Sequence, residues 1–164
     1  MSKQLSILLD TNVWLDYFLG SRNGHAMACS LVNLAFEKNQ TLTYSLSSVK
    51  DVYYIMGLKL KKAAREEKGC LSDSAAAAAN AAAWGCINNM QEIACAIPID
   101  LPDVWMASKQ RVIHADFEDD LLIAAAKRAQ VDYLVTNDER LLRHCPVASL
   151  DVADMCAQLQ VLGE

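Results

Sequence analysis

Apolar positions fall into short unbroken runs that alternate with longer stretches of helical spacing. Residues 5–9 (LSILL) form a run of strand length, stopped by Asp10-Thr11-Asn12, which are helix-capping types, before Val13-Trp14-Leu15 resumes the apolar pattern. The pattern predicts a strand that turns directly into a helix. Residues 25–38 place Ala28, Leu31, Val32, Leu34, Ala35 and Phe36 at helical spacing, residues 41–45 read as a short strand, and a second strand-to-helix junction follows at 45–48. A long helix with a basic distal half is predicted over 49–67, ending at Gly69, and an Ala-rich helix over 72–93, capped by Ser72 or Asp73. Residues 94–99 (ACAIPI) predict a strand that Pro98 confines to an edge or a strand end. Helical turns at 103–110, the pair Val112-Ile113, a helix over 116–129 and a buried strand over 133–136 come next. A short helix around Leu141-Leu142, a last strand over 147–150 and a helix over 152–159 close the chain. Alternation of this kind predicts a parallel α/β sheet covered on both faces.

With 164 residues, 53% of them hydrophobic and 21% charged, the chain suits one domain over 1–164, and default disorder is excluded. Three prolines and six glycines leave little material for linkers. The six cysteines show no C-x-x-C pair and predict reduced, mostly buried thiols in a cytoplasmic protein. Residues 1–9 carry no secretory pattern. The uncharged stretch 74–91 is Ala-rich and contains Asn80, Asn88 and Asn89, so a close-packed helix is expected there and no membrane span. The formal charge of -5 repels nucleic acid as a whole-molecule field, so a nucleic-acid partner requires a local device such as bound metal or a basic patch.

Such a device is available among the acids. In an open parallel sheet the functional crevice lies beyond the carboxyl ends of the strands. Asp10 follows the first strand and Asp138 the strand YLVTN, while Asp51 and the cluster Asp116-Phe117-Glu118-Asp119-Asp120 stand at the starts of helices facing the same edge. Within that cluster, spacings of three and four residues predict that Asp116, Asp119 and Asp120 share one face. Converging carboxylates repel unless a cation lies among them, and an all-oxygen set without His or Cys selects Mg²⁺ or Mn²⁺. An ion of this type binds a phosphate oxygen and acidifies water for attack on a phosphodiester.

The segments Leu8-Leu9-Asp10-Thr11-Asn12-Val13, Ser45 through Ile55 (SLSSVKDVYYI), Asp116-Phe117-Glu118-Asp119-Asp120-Leu121 and Asp132 through Asp138 (DYLVTND) resemble the PIN domain, and more narrowly the VapC toxins of bacterial toxin–antitoxin pairs. The resemblance implies a three-layer α/β/α, Rossmann-like domain with a mainly parallel sheet. It also implies a metal-dependent endoribonuclease, usually dimeric and held inactive by a cognate antitoxin. Carried over by position, the metal-holding acids fall on Asp10, Asp119 and Asp138. The second family acid, commonly Glu, falls on Asp51; the side chain is one methylene shorter, and direct and water-mediated metal contact both stay open. The D-F-E-D-x-L pattern selects Asp119, whereas alignment on Ile123-Ala124-Ala125 selects Asp120. Asp116 is an outer member of the site, and Asn12 and Thr136 match positions that orient the first and last carboxylates.

Each acid also has an ordinary structural alternative. Asp10 and Asp116 suit helix caps, Asp51 an ordinary first-turn acid beside Lys50, and Asp138 a turn. Together these alternatives require four coincidences at one sheet edge. The basic run Lys59, Lys61, Lys62 and Arg65 reads either as a solvated face or as a guide for an RNA backbone. His25, His114 and His144 have no partner at metal-ligand spacing, and Trp14, Tyr17 and Phe18 read as core or dimer contact rather than a base-stacking platform. The functional expectation is an RNA-cleaving, Mg²⁺- or Mn²⁺-dependent homodimer with an antitoxin partner and no membrane association. The rival expectation is a catalytically silent PIN-like domain that binds RNA or protein. Aspartyl-phosphate phosphatases are disfavoured because Asp10 is followed by Thr-Asn rather than by the second acid of a D-x-D pair.

Overall fold

The computed structural model describes residues 4–111 and 116–162. Val112-Ile113 and His114 lie outside the described residues. The elements run β1 (Ser6–Leu9), α1 (Thr11–Phe18), α2 (His25–Glu37), β2 (Thr41–Ser45), α3 (Leu46–Lys68), α4 (Asp73–Ile93), β3 (Cys95–Ile97), α5 (Leu101–Gln110), α6 (Phe117–Ala129), β4 (Tyr133–Val135), α7 (Glu139–His144), β5 (Ser149–Leu150) and α8 (Val152–Val161).

The five described strands are all parallel, in the order β3-β2-β1-β4-β5. The chain starts in the middle of the sheet, builds outward to β3, then returns to the far side of β1. This reversal opens a switch point between β1 and β4, where their carboxyl ends face a common crevice.

Alternation along the strands separates two apolar layers. Ile7 and Leu9 point to the layer of Trp14, Leu31, Val52 and Met155, while Leu8 and Leu134 point to the layer of Leu122, Ile123, Ala125 and Ala126. Ile7, Leu8 and Leu9 are all fully buried, the signature of a strand covered on both faces. Ala125 and Ala126, fully buried, let α6 lie close to the sheet. Trp14 is buried against Tyr17, Phe18 and Tyr44, so this aromatic stripe belongs to the core, with Tyr17 and Phe18 half-buried.

The observed strands are shorter than the apolar runs. Pro98 has no N–H to donate, and β3 ends just before it, at the edge of the sheet. β5 pairs only through Ser149 and Leu150, against the last two residues of β4. In the other direction, α3 starts earlier than expected because Ser45 Oγ accepts from Ser47 N at 3.3 Å and caps the helix with no intervening loop. At its far end Gly69 takes φ +73°, the left-handed conformation that stops the helix. The expectation of mostly buried thiols is not met: Cys156 is buried, Cys29, Cys86 and Cys145 are half-buried, and Cys70 and Cys95 are exposed. Cys70 lies between two helix ends and Cys95 on the edge strand, where their apolar neighbours in sequence do not cover them. All six thiols are free.

Candidate metal and nucleic-acid site

Asp10 N donates to Val135 O at 2.9 Å, so Asp10 completes the β1–β4 ladder, while its carbonyl accepts from Val13 N and Trp14 N and starts α1. Its backbone caps the helix but its carboxylate does not. That carboxylate accepts instead from Thr136 Oγ1 at 2.8 Å, across the switch point. Thr136 Oγ1 in turn accepts from Asp138 N at 3.1 Å. One buried hydroxyl therefore ties the acid after β1 to the segment that carries the acid after β4.

A cleft of about 280 Å³ opens at this edge, lined by Asp10, Asn12, Asp51, Asp116, Asp119 and Asp138 among the expected site residues. Four chain segments deliver the acids: the end of β1, the second turn of α3, the start of α6 and the turn after β4. Thr11 Oγ1 donates to Ser48 Oγ at 2.9 Å and pins the start of α1 to the start of α3. Two acids combine cleft lining with capping. Asp116 Oδ1 accepts from Glu118 N at 2.9 Å, and Asp138 Oδ1 accepts from Arg140 N at 2.7 Å. Each cap occupies one oxygen of its carboxylate.

Asp119 and Asp120 part company. Asp119 lines the cleft, whereas Asp120 is only 1% exposed and lies outside the lining. Of the three acids expected on one face of α6, Asp116 and Asp119 line the cleft and Asp120 turns into the interior. Thr136 lies beneath Asp10, fully buried. Lys59 and Lys62 line a separate cavity of about 320 Å³ with Leu19, Ser21 and Glu66; Lys61 and Arg65 line neither space.

Glu118, Ser47 and Ser48 also line the cleft, and sequence reasoning did not single them out. Glu118 was visible as part of the acidic cluster, and Ser47-Ser48 as hydroxyls following a strand that ends at a cleft. The Asp51 carboxyl, first through a hydrogen bond and then through its charge, pushes Glu118 up to about 7 from an ordinary 4.5, with burial adding to the shift. Asp10 is likewise raised, chiefly by burial and also by the charges of Asp138 and Asp116, against the lowering effect of Thr136.

Repulsion among the carboxylates thus adds to burial in both shifts. Asp51 Oδ2 is buried with no hydrogen-bond donor among the described residues. The donors are oxygens throughout, the set that suits Mg²⁺ or Mn²⁺. Among the described residues no three His, Cys, Asp or Glu side chains form a ready-made ligand cluster. The cleft thus has the donor chemistry and the surplus negative charge for a hard cation, with its acids arranged around an open space.

The sequence matches the PIN domain family over residues 6–140. The chain belongs to the PIN domain family. Solved structures agree on the fold. VapBC2 from Rickettsia felis, crystallised with a DNA fragment of its promoter, superimposes with a TM-score of 0.63 at 14% identity, covering 90% of this chain and 98% of the other. VapC20 of Mycobacterium tuberculosis, described as a toxin that cleaves the sarcin–ricin loop, gives 0.58 at 16% identity over 84% and 93% of the two chains. PAE2754 from Pyrobaculum aerophilum gives 0.59 at 18% identity over 98% of both. Comparison with curated protein sequences gives no match. In PIN terms the matched region runs from β1 into α7 and therefore contains every acid that lines the cleft.

Proposed function

We propose that this chain, as a single PIN domain over 1–164, is a metal-dependent endoribonuclease and the toxin of a toxin–antitoxin pair. The observation that carries the reading is the convergence of Asp10, Asp51, Asp119 and Asp138, from four separate segments, on one cleft at the switch point. Likeness to VapC20, a toxin that cleaves RNA, and to VapBC2, a toxin–antitoxin complex, supports RNA as substrate and an antitoxin as partner.

Asp10, Asp119 and Asp138 are the residues that would hold Mg²⁺ or Mn²⁺. Bound there, the ion supplies charge to offset a phosphodiester and lowers the pKa of a coordinated water. Thr136 fixes the Asp10 carboxylate through its hydroxyl. Glu118, raised to about 7 by the Asp51 carboxyl beside it, is in its ionised form a group suited to accepting the proton of an attacking water, and Asp51 positions it. The one-methylene shortening at Asp51 is offset by the longer Glu118 side chain at the same wall. Asn12 and Asp116 line the rim, and no covalent intermediate is required.

Lys59 lies eight residues beyond Asp51, about 12 Å along the axis of α3, and with Lys62 borders a cavity where an RNA backbone leaving the acidic cleft can be met. Lys61 and Arg65 add charge to the same helix. A homodimer through α4 fits its exposed Ala77, Ala78, Ala81 and Ala82, which leave an uncharged face. Among the described residues no helix is long and apolar enough to cross a membrane; a cytoplasmic location fits the free thiols.

A second reading, a catalytically silent PIN domain that binds RNA or protein, is favoured by the lack of a ready-made ligand cluster among the described residues and by Asp at position 51. Mn²⁺ titration by calorimetry, coupled to cleavage of structured RNA, separates the two. The nuclease reading expects Mn²⁺ binding and cleavage, with Mn²⁺ affinity lowered and cleavage lost in Asp138→Asn; RNA binding without cleavage at saturating Mn²⁺ selects the silent reading.

A further inference from the structure

The turn that carries Asp138 is held at two points, and only one of them faces the cleft. On the cleft side Thr136 Oγ1 links Asp10 to Asp138 N. The second hold is at Asn137, whose side chain does not line the cleft. Its Nδ2 donates to Asp16 Oδ2 at 3.3 Å, and its Oδ1 accepts from Val152 N at 3.3 Å.

Asp16 is a carboxylate outside the acidic cleft and nevertheless 5% exposed. A buried charge of this kind is costly unless it is fully engaged. Arg22 Nε pairs with its Oδ1, and its backbone carbonyl is met by His25 Nδ1 at 2.9 Å. Gly24 packs so closely that a Cβ there would stand 2.4 Å from Asp16 Oδ2. The connection between α1 and α2 therefore wraps the carboxylate and leaves Oδ2 directed to Asn137. Asp10 caps the start of α1 and Asp16 lies in its last turn, so one helix grips the turn after β4 at both points.

We propose that Asp16 is a positioning residue for Asp138, holding the turn after β4 through Asn137 so that α1 sets the spacing of Asp10 and Asp138 across the cleft. The inference rests on the metal-site reading of the cleft. Its effect should be on metal affinity, in the way that residues behind a ligand typically change affinity by about 10–100-fold.

The test is calorimetric Mn²⁺ titration of wild type, Asn137→Ala, Asp138→Asn and the double variant, with hydrogen exchange measured on the metal-free proteins. Asn137→Ala is expected to raise the Mn²⁺ dissociation constant about tenfold in the wild-type background and less than about twofold in Asp138→Asn. Gly24→Ala, which displaces the Asp16 carboxylate without touching the turn, is expected to move it in the same direction. Equal fold-changes in the two backgrounds, or unchanged affinity in Asn137→Ala or Gly24→Ala, would overturn the proposal. If wild type binds no Mn²⁺, the metal reading fails by itself and exchange then decides the positioning claim. Faster exchange of the Asp138, Arg140 and Leu141 amides in Asn137→Ala, with α6 unchanged, supports the hold, and unchanged exchange refutes it.

Discussion

A hydroxyl and a carboxylate at the switch point decide how two distant acids meet. Thr136 donates its hydroxyl to the Asp10 carboxylate from a position 126 residues away in the chain. Thr136→Val keeps the shape of the side chain and removes the donor, leaving a buried carboxylate without its partner. We expect Mn²⁺ affinity to fall by about 10–100-fold by calorimetry, with the fold retained by circular dichroism. Glu118 makes a second residue-scale prediction. Its folded value of about 7 lies above the ordinary 4.5, so the folded state keeps a proton that the unfolded chain releases. Stability from this proton is fully present below about 4.5 and is lost as pH rises through about 7, and the raised Asp10 acts with the same sign. Melting of the metal-free protein should therefore move to lower temperature between pH 5 and pH 8, a range set by that shift. Mn²⁺ should restore it, and Glu118→Gln should flatten the slope. A melting temperature that rises over this range would contradict the assignment.

At the scale of elements, β1 is the organising strand because it pairs with β2 on one side and β4 on the other. Leu8 is fully buried in the α6 layer, and Leu8→Ala should destabilise the chain by about 2–5 kcal/mol in urea melts. Ala125 shares that layer at full burial. Ala125→Leu should cost about 1–3 kcal/mol by overpacking α6 against the sheet. Much at this scale could be read from the chain itself. The unbroken LSILL run followed by capping residues signals a buried strand entering a helix; β1 lies within a residue of the expected run and α1 follows it directly. Gly69 and Ser72 mark the turn between α3 and α4 for the same reason, local backbone chemistry. The ends of β3 and β5 were less legible, since pairing with a neighbour, rather than apolar content, sets where a strand stops. Site residues divide in the same way. Asp10, Asp51 and Asp138 announce themselves by following strands or starting helices. That Asp119 and not Asp120 lines the cleft depends on the rotation of α6 against the sheet, and the partnership of Glu118 with Asp51 joins residues 67 positions apart.

Across the whole molecule the charge of -5 argues against a nucleic-acid partner only if it is spread evenly. It is not: six of the acids line a single cleft in positions where a divalent cation would turn repulsion into attraction. The basic residues lie further along α3, where Lys59 and Lys62 border a separate cavity. Reversing both with Lys59→Glu and Lys62→Glu should weaken RNA binding and flatten its dependence on salt, measured by fluorescence anisotropy at several ionic strengths. Unchanged binding would confine RNA contact to the acidic cleft. The central claim, that this cleft uses a divalent ion to cut RNA, is tested most directly by one measurement: cleavage of structured RNA by purified wild type and Asp10→Asn across an Mn²⁺ titration. Cleavage by wild type that rises with Mn²⁺, stops on chelation and is abolished in a folded Asp10→Asn protein is the predicted result. Equal cleavage by the two proteins, or cleavage indifferent to chelation, would contradict it.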